Sequence, residues 1–249
     1  MIQKIEECSL NAWPAERSLL YDGWMLRFAG GYTRRANSIS PLFPGNEDIN
    51  RKIAWCEEQY AAQGLPTIFI ITPNIQPDGL DEILAQRGYL REAESAVLYA
   101  PLSDIHAVAS GCNAVILPQE EWLAHYAHVA GQSSNSQNWH RKILRAIIPA
   151  VCPVAIIQDG QPVAVGLGVL ERGMVGLYDL VTSEQFRRQG LAAQIIATIL
   201  SWAAMNGAQC TYLQVMSNNA TALALYTKIG YRPCYQYWYR LQQHVTKGV

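Results

Sequence analysis

The sequence lacks an excess of charge of either sign. Its 19 basic and 20 acidic residues leave a formal net charge of −1 over 249 residues. Proteins that bind nucleic acids or anionic membrane surfaces usually carry a broad positive patch. We therefore expect no nucleic-acid partner and no membrane partner, and any site for an anion must be local.

Closely spaced cysteines and long apolar runs are also missing. The six cysteines lie far apart without a C-x-x-C pair, and no run reaches the ~18 apolar residues of a membrane span. The first twenty residues contain acids where a signal peptide would be apolar. We expect a cytoplasmic protein with free thiols. His125 and His128 lie one helical turn apart without a third ligand at metal spacing, so no metal is expected.

The chain is long enough for two modest domains, since single cores usually run to ~100–200 residues. In the C-terminal part, two predicted helices (122–131 and 137–150) precede three β-branched runs between Val154 and Thr182, which indicate an antiparallel meander. A helix from about Arg188 to Gly207 follows, and then the segments "CTYLQVM", "NNATALALYTKIG" and "CYQYWYRL" predict a strand, a helix and a strand.

The N-terminal part repeats this order of elements. Two strands around a Gly-Gly turn (23–42), a helix (46–63), "LPTIFIIT", a helix ending at Gly88 and "ESAVLYAPL" match the order of the second half. Both halves end in a helix, a Gly-Tyr pair and a strand. The polar stretch "YTRRANS" (32–38) interrupts a strand-like run, and it either lines a pocket between the halves or anchors their contact.

Positive charge stands at the start of the helix near Arg188, in "VTSEQFRRQGLAAQ". Helix starts carry partial positive charge, so acids are the usual choice there. Arg187 and Arg188 either point into solvent or belong to an anion site. In such a site, the free N–H groups of the first turn would hold a phosphate and Gly190 would let it approach the backbone.

Two motifs resemble those of the GNAT superfamily of acyl-CoA N-acetyltransferases. The run Arg187-Arg188-Gln189-Gly190-Leu191-Ala192 matches the family's pyrophosphate signature R/Q-x-x-G-x-G/A. The family's second pattern, N-x-x-A-x-x-L-Y followed by G-F/Y, is matched in register by Asn219, Ala222, Leu225, Tyr226, Gly230 and Tyr231. The resemblance covers roughly residues 113–242. It implies a mixed α/β (α+β) fold of two GNAT-like domains, each with a mostly antiparallel central sheet flanked by helices.

The resemblance also implies roles for these residues. Backbone N–H groups of Arg188, Gln189, Gly190, Leu191 and Ala192 would hold the pyrophosphate of acetyl-CoA, and Arg187 would brace the loop. The strand before the loop, Leu180, Val181 and Thr182, would lie beside the pantetheine arm, with Asn219 and Ala222 on its other side. Tyr226 would protonate the departing thiolate. A tyrosine suits this role because its ordinary pKa of about 10 lies somewhat above that of a thiol.

The base and the acceptor are less defined. Asp179 in the expected acetyl strand, or Glu171 at the preceding hairpin, could take the proton of the amine directly or through water. The predicted reaction is direct transfer of acetyl to a primary amine of a small molecule or peptide in a ternary complex. The alternative is a non-catalytic acyl-CoA sensor or interaction protein with the same fold. The chain could be a monomer or a homodimer.

The first half lacks the signature. Its "LFPGNEDINRK" offers one glycine and then Glu47 and Asp48, and acids would repel a pyrophosphate. We therefore expect a degenerate GNAT-like domain over residues 1–102, a linker over 103–112 and a catalytic domain over 113–249.

Overall fold

The computed structural model describes residues 1–106 and 113–242. The first half begins with an amphipathic helix whose buried positions Ile5, Cys8, Ser9 and Ala12 repeat every three or four residues. Its elements are α1 (Ile2–Ala12), β1 (Arg17–Tyr21), β2 (Trp24–Phe28), β3 (Ile39–Pro41), α2 (Ile49–Ala61), β4 (Ile68–Ile71), α3 (Leu80–Gln86) and β5 (Leu90–Pro101). A 3₁₀ turn at Arg34–Ala36 separates β2 from β3.

The second half has the predicted order of elements with one additional short strand at its beginning. Its elements are β6 (Ala114–Ile116), α4 (Gln119–Val129), α5 (Ser134–Arg145), β7 (Ala150–Gln158), β8 (Gln161–Glu171), β9 (Met174–Thr182), α6 (Leu191–Met205), β10 (Cys210–Met216), α7 (Ala220–Ile229) and β11 (Arg232–Leu241). Among the described residues, no helix has the length and apolar character needed to cross a membrane.

The strands form one continuous eleven-stranded sheet in the order β1-β2-β3-β4-β11-β5-β10-β9-β8-β7-β6. The pairs β3–β4 and β9–β10 are parallel, and the other pairs are antiparallel. The mixed, mostly antiparallel sheet with flanking helices confirms the predicted fold class. The final strands of the halves are exchanged: β11 lies between β4 and β5, with Trp238 opposite Ile71, and β5 pairs with β10. The two halves therefore form one sheet, in which β11 of the second half lies between β4 and β5 of the first.

Several elements differ from the sequence-based expectation. The strand β6, the strand β1 and the helix α1 were not predicted. The helix α6 begins at Leu191 rather than near Arg188, because Arg188 and Gly190 have the left-handed φ values of 62° and 78° and cannot continue a helical turn. The predicted linker lies partly outside the described residues, as does Cys112; the other five cysteines are free thiols.

Two glycines of β8 fix the position of α6 on the sheet. A Cβ atom on Gly166 would lie 2.5 Å from the Ile195 side chain, and one on Gly168 would lie 2.4 Å from that of Ile199. Such distances are below van der Waals contact, so only glycine lets the helix pack this closely. The start of α6 is thereby held beside the end of β9.

Candidate active site

The strands β9 and β10 separate in the middle of the sheet. They pair in parallel only from Met174 to Leu177 on β9, opposite Cys210 to Leu213 on β10. Beyond this point a β-bulge in β9, with Asp179 at φ 50°, shifts the register against β8. Backbone groups of β9 that would otherwise bond β10 face the gap. A cleft of about 300 Å³ lies there.

This cleft brings together five of the residues predicted from the sequence. Its walls include Asp179, Leu180, Asn219, Ala222 and Tyr226. Asp179 and Leu180 belong to β9, whereas the other three residues belong to α7 or its N-cap. Residues about forty positions apart in the chain therefore meet across the gap. Val181 and Thr182 continue β9 toward the signature loop, where they pair with Val165 and Ala164 of β8.

The signature loop presents unpaired backbone N–H groups. The loop from Arg187 to Gly190 is exposed, and α6 begins directly after it. Within the described chain, no hydrogen-bond acceptor is found for the backbone N–H groups of Arg188, Gln189, Gly190, Leu191, Ala192 and Ala193. Together with the helix dipole, such a run of free donors is suited to an anion. The Arg187 guanidinium lies 3.8 Å from the Glu184 carboxylate, within the loop.

The equivalent helix start in the first half is closed. The Asp48 carboxylate caps α2 by accepting hydrogen bonds from the backbone N–H groups of Asn50 and Arg51, both at 3.1 Å. A side-chain anion therefore occupies the position where α6 offers free donors. The two halves share an order of elements, but this helix start has a side-chain cap in the first half (α2) and none in the second (α6).

Tyr226 and Asn219 are held by α7. The Asn219 Oδ1 atom caps this helix by accepting from Ala222 N at 3.1 Å, and Asn219 also lines the cleft. Tyr226 is 9 % exposed, and its hydroxyl has no hydrogen-bond partner among the described residues. Burial raises the pKa of Tyr226 to about 12. The phenol therefore stays protonated at neutral pH, as an acid must.

Asp179 forms a pair that sequence reasoning missed. Its carboxylate lies 2.8 Å from Nε2 of His140, a fully buried residue of α5. The His140 ring is surrounded by the aromatic rings of Trp13, Tyr32, Trp122 and Tyr126. Its Nε2 atom is bonded to the carboxylate, which requires a proton on Nε2, and Nδ1 has no partner in the described chain. His140 thus fixes the orientation of Asp179.

Glu171, the alternative base, lies at the opposite end of β9. Glu171 ends β8, where it pairs with Met174 at the start of β9, and Asp179 lies five residues further along β9, or about 17 Å away. Its carboxylate accepts hydrogen bonds from Asn11 at 3.1 Å and lies 3.2 Å from Arg172. Of the two candidate bases, Asp179 lines the cleft and Glu171 does not.

A second cavity of about 300 Å³ adjoins the cleft, and both halves contribute equally to its lining. The residues that it shares with the cleft are Arg35, Asp179, Gln214, Val215 and Met216, and the rest of its lining includes Trp13, Thr33, Tyr237 and Tyr239. The stretch 32–38 therefore both lines a pocket and contacts the second half, which were the two alternatives from the sequence. Arg35 lines the cavities, while Tyr32 accepts a hydrogen bond from Gln132 of the second half at 2.6 Å. Trp13 was missed because it follows the unpredicted helix α1.

The two histidines that lie one helical turn apart in the sequence are both on α4. His125 lies 3.8 Å from Glu121 on the same helix, and His128 is exposed. Within residues 1–106 and 113–242, no group of three or more His, Cys, Asp or Glu side chains is arranged to hold a metal ion.

Comparison with known proteins extends the similarity to both halves. Residues 1–240 match the family described as "Probable histone acetyltransferase Rv0428c C-terminal". The chain is 28 % identical to the uncharacterized N-acetyltransferase YobR of Bacillus subtilis over 97 % of its own length and 99 % of that protein.

Solved structures of low sequence identity have the same fold. A GCN5-related N-acetyltransferase from Kribbella flavida superposes with a TM-score of 0.69 at 17 % identity, covering 98 % of this chain and 96 % of that one. A tandem GNAT protein from the clavulanic acid biosynthesis pathway gives a TM-score of 0.59 at 13 % identity, over 76 % of this chain and 69 % of that one. The family match spans both halves of the chain, which therefore belongs to the Rv0428c C-terminal acetyltransferase family and has the GNAT fold.

Proposed function

We propose that the chain transfers an acetyl group from acetyl-CoA to a primary amine of a small molecule or peptide. The observation that carries the proposal is the junction of β9 and α6. There, six consecutive backbone N–H groups have no acceptor within the described chain, and β9 leads from a cleft lined by Asp179 and Tyr226 toward them. Neither an anion site nor a cleft between splayed strands is needed to stabilise the fold, and their adjacency matches a ligand with an anionic and an apolar part.

Different residues bind the different parts of acetyl-CoA. N–H groups of Arg188 to Ala192 hold the pyrophosphate of acetyl-CoA, and Arg187 and Arg188 add positive charge beside it. Backbone groups of Leu180 to Thr182 and the side chains of Asn219 and Ala222 contact the pantetheine arm. When bound, acetyl-CoA supplies the activated acetyl group, which the amine attacks directly in a ternary complex without a covalent enzyme intermediate.

Two side chains move protons. Asp179 takes the proton of the amine, directly or through water, and His140 keeps its carboxylate turned toward the cleft. Tyr226 donates a proton to the leaving thiolate, for which its protonated state at neutral pH is suited. We further propose that the first half, residues 1–102, does not bind coenzyme A, since Asp48 occupies its helix start.

The proposal is tested by measuring acetyl-CoA binding calorimetrically and thiol release with a panel of amines, amino acids, polyamines and peptides. We expect binding with one site per chain, and thiol release that depends on an amine. Binding without release for any acceptor would favour the acyl-CoA sensor. Absence of binding would contradict both readings.

A further inference from the structure

Arg35 is a half-buried cation, and the described residues place no carboxylate against its guanidinium. Its Nε atom is inaccessible and has no hydrogen-bond partner within the described chain. Its guanidinium lies 5.9 Å from the centre of the Trp13 ring and 5.7 Å from that of Tyr178, and no carboxylate of the described residues lies within 4.0 Å of it. Aromatic rings attract a cation but do not neutralise it. A guanidinium removed from water is costly unless it is paired.

The surroundings of Arg35 make this excess of positive charge greater. Arg27 is buried, and its guanidinium donates to the backbone carbonyl of Arg35 at 2.6 Å. Burial lowers the pKa of Arg27 to about 10, and Arg35 contributes to the shift. Glu6 is an acid on the same side, but it bonds the Tyr235 hydroxyl, and burial raises the pKa of its carboxyl. Glu6, Arg27 and Arg35 line one small cavity, so the described residues set one carboxyl beside two arginines there.

The backbone beneath Arg35 is rigidly held. Arg35 lies in the 3₁₀ turn Arg34–Ala36, which Thr33 caps. The Asn37 side chain accepts from Ala29 N at 2.7 Å and from Gly31 N at 2.9 Å, and it donates to Thr33 O at 2.7 Å. The turn therefore places a charged side chain at a fixed point on the wall shared by the cleft and the second cavity.

Arg35 and Asp179 are both on the shared wall, and they offer opposite charges to whatever enters there. An arginine presents a planar fork of donors that matches a carboxylate. From this juxtaposition we infer that the acceptor amine carries a carboxylate, with an α-amino acid as the simplest case. Its carboxylate pairs with Arg35, and its amino group lies toward Asp179. The inference rests on the proposed acetyl transfer and specifies its substrate class.

The test compares matched acceptors. One set is phenylalanine, phenylalaninamide and phenethylamine, and the other is leucine, leucinamide and isopentylamine. Within each set, the compounds differ mainly at the carboxyl group. With rates expressed per unprotonated amine, we expect the wild type to prefer the amino acids in kcat/KM by about 10- to 100-fold, the range of a charged hydrogen-bonded pair. Arg35→Met removes the charge and keeps an apolar stem, so this preference should fall to near unity.

Controls separate a specificity role from a structural one. Arg17→Met makes the same change at an exposed arginine of β1 that bonds Gln63 and lines neither cavity. It should leave the preference intact. Arg35→Lys keeps the charge without the fork and should retain part of it. If Arg35→Met does not fold, calorimetry on the wild type remains, because N-acetyl amino acids should bind more tightly than the corresponding N-acetyl amines.

The outcomes distinguish this inference from the proposed function. If the wild type acetylates amines but does not favour a carboxylate, the inference is overturned while the acetyl transfer stands. If Arg35→Met loses only the use of malonyl- or succinyl-CoA, Arg35 contacts the acyl group, and the inference is also overturned. If acetyl-CoA does not bind at all, the inference and the proposed function are overturned together.

Discussion

Replacing Gly190 by aspartate should weaken coenzyme A binding through charge alone. At Gly190 a Cβ atom would meet nothing within 4 Å, and the φ of 78° is a left-handed conformation that Asn and Asp tolerate best among L-residues. Gly190→Asn is therefore a matched control with the same shape and the same backbone cost of about 1 kcal/mol. The difference between the two variants isolates one negative charge at the start of α6.

The magnitude follows from Coulomb's law. A carboxylate about 5 Å from a doubly charged pyrophosphate costs about 2 kcal/mol at the dielectric constant of water, or about 30-fold in affinity. We expect coenzyme A to bind Gly190→Asp about 30-fold more weakly than Gly190→Asn in isothermal titration at low salt. The ratio should shrink in about 0.3 M salt, because added ions screen exposed charges.

Stability should change in the opposite direction, which excludes unfolding as the cause. The negative charge of an aspartate at a helix start interacts favourably with the helix dipole and stabilises the helix by about 0.3–1 kcal/mol. Gly190→Asp should therefore be at least as stable as Gly190→Asn in thermal unfolding. Asp48 already has this position at the start of α2. Equal coenzyme A affinities for the two variants, or wild-type affinity for Gly190→Asp, would refute the assignment of the pyrophosphate to this loop.

Three further substitutions test the site and the core. Tyr226→Phe should lower kcat by about 100-fold or more while the acetyl-CoA affinity stays constant; the unfolding free energy should change by less than about 1 kcal/mol, because the hydroxyl has no partner among the described residues. The raised pKa of Tyr226, about 12, keeps this acid protonated. A fall in wild-type kcat that has its midpoint near pH 10 and is absent in Tyr226→Phe is therefore not expected. Asp179→Asn keeps an acceptor for His140 and should lower kcat/KM by at least about 100-fold with little change in melting temperature; an unchanged rate would remove Asp179 as the base. Gly176→Ala should destabilise the protein by about 1–3 kcal/mol in urea unfolding, since its Cβ would lie 2.6 Å from Tyr178 and 2.7 Å from Tyr212; a change below about 0.5 kcal/mol would contradict this packing argument.

Elements with local signals could be predicted from the sequence. Arg172 and Gly173 have φ values of 49° and 74°, which a tight hairpin requires, and they join β8 to β9 as expected. Asn219 caps α7 and Gly230 ends it, again as predicted. In contrast, the buried face of α1 includes Ser9 and Cys8, so its amphipathic pattern is not apolar enough to stand out.

The acceptor side could not be predicted, because its residues meet only in the tertiary structure. Trp13 follows α1, Arg35 lies in a 3₁₀ turn and His140 lies on α5, and no spacing in the sequence relates them. The motifs pointed to the proposed coenzyme side because its residues follow one another along two short segments. A buried histidine or arginine has no such local pattern, and its partner is set by how the helices pack on the sheet.

The exchange of the final strands was equally inaccessible, and it changes how the first half should be regarded. The strands β5 and β11 both follow a helix and a Gly-Tyr pair, so local sequence does not determine which neighbour each one selects. With β11 paired to β4, the first half supports the strand that follows α7, and Tyr237 and Tyr239 of β11 face the cavity that Arg35 lines. The half in which Asp48 caps the start of α2 thus contributes Trp13 and Arg35 to this cavity, together with Tyr237 and Tyr239 of the second half. Acceptor preference could therefore change through the first half while the signature loop of the second stays intact.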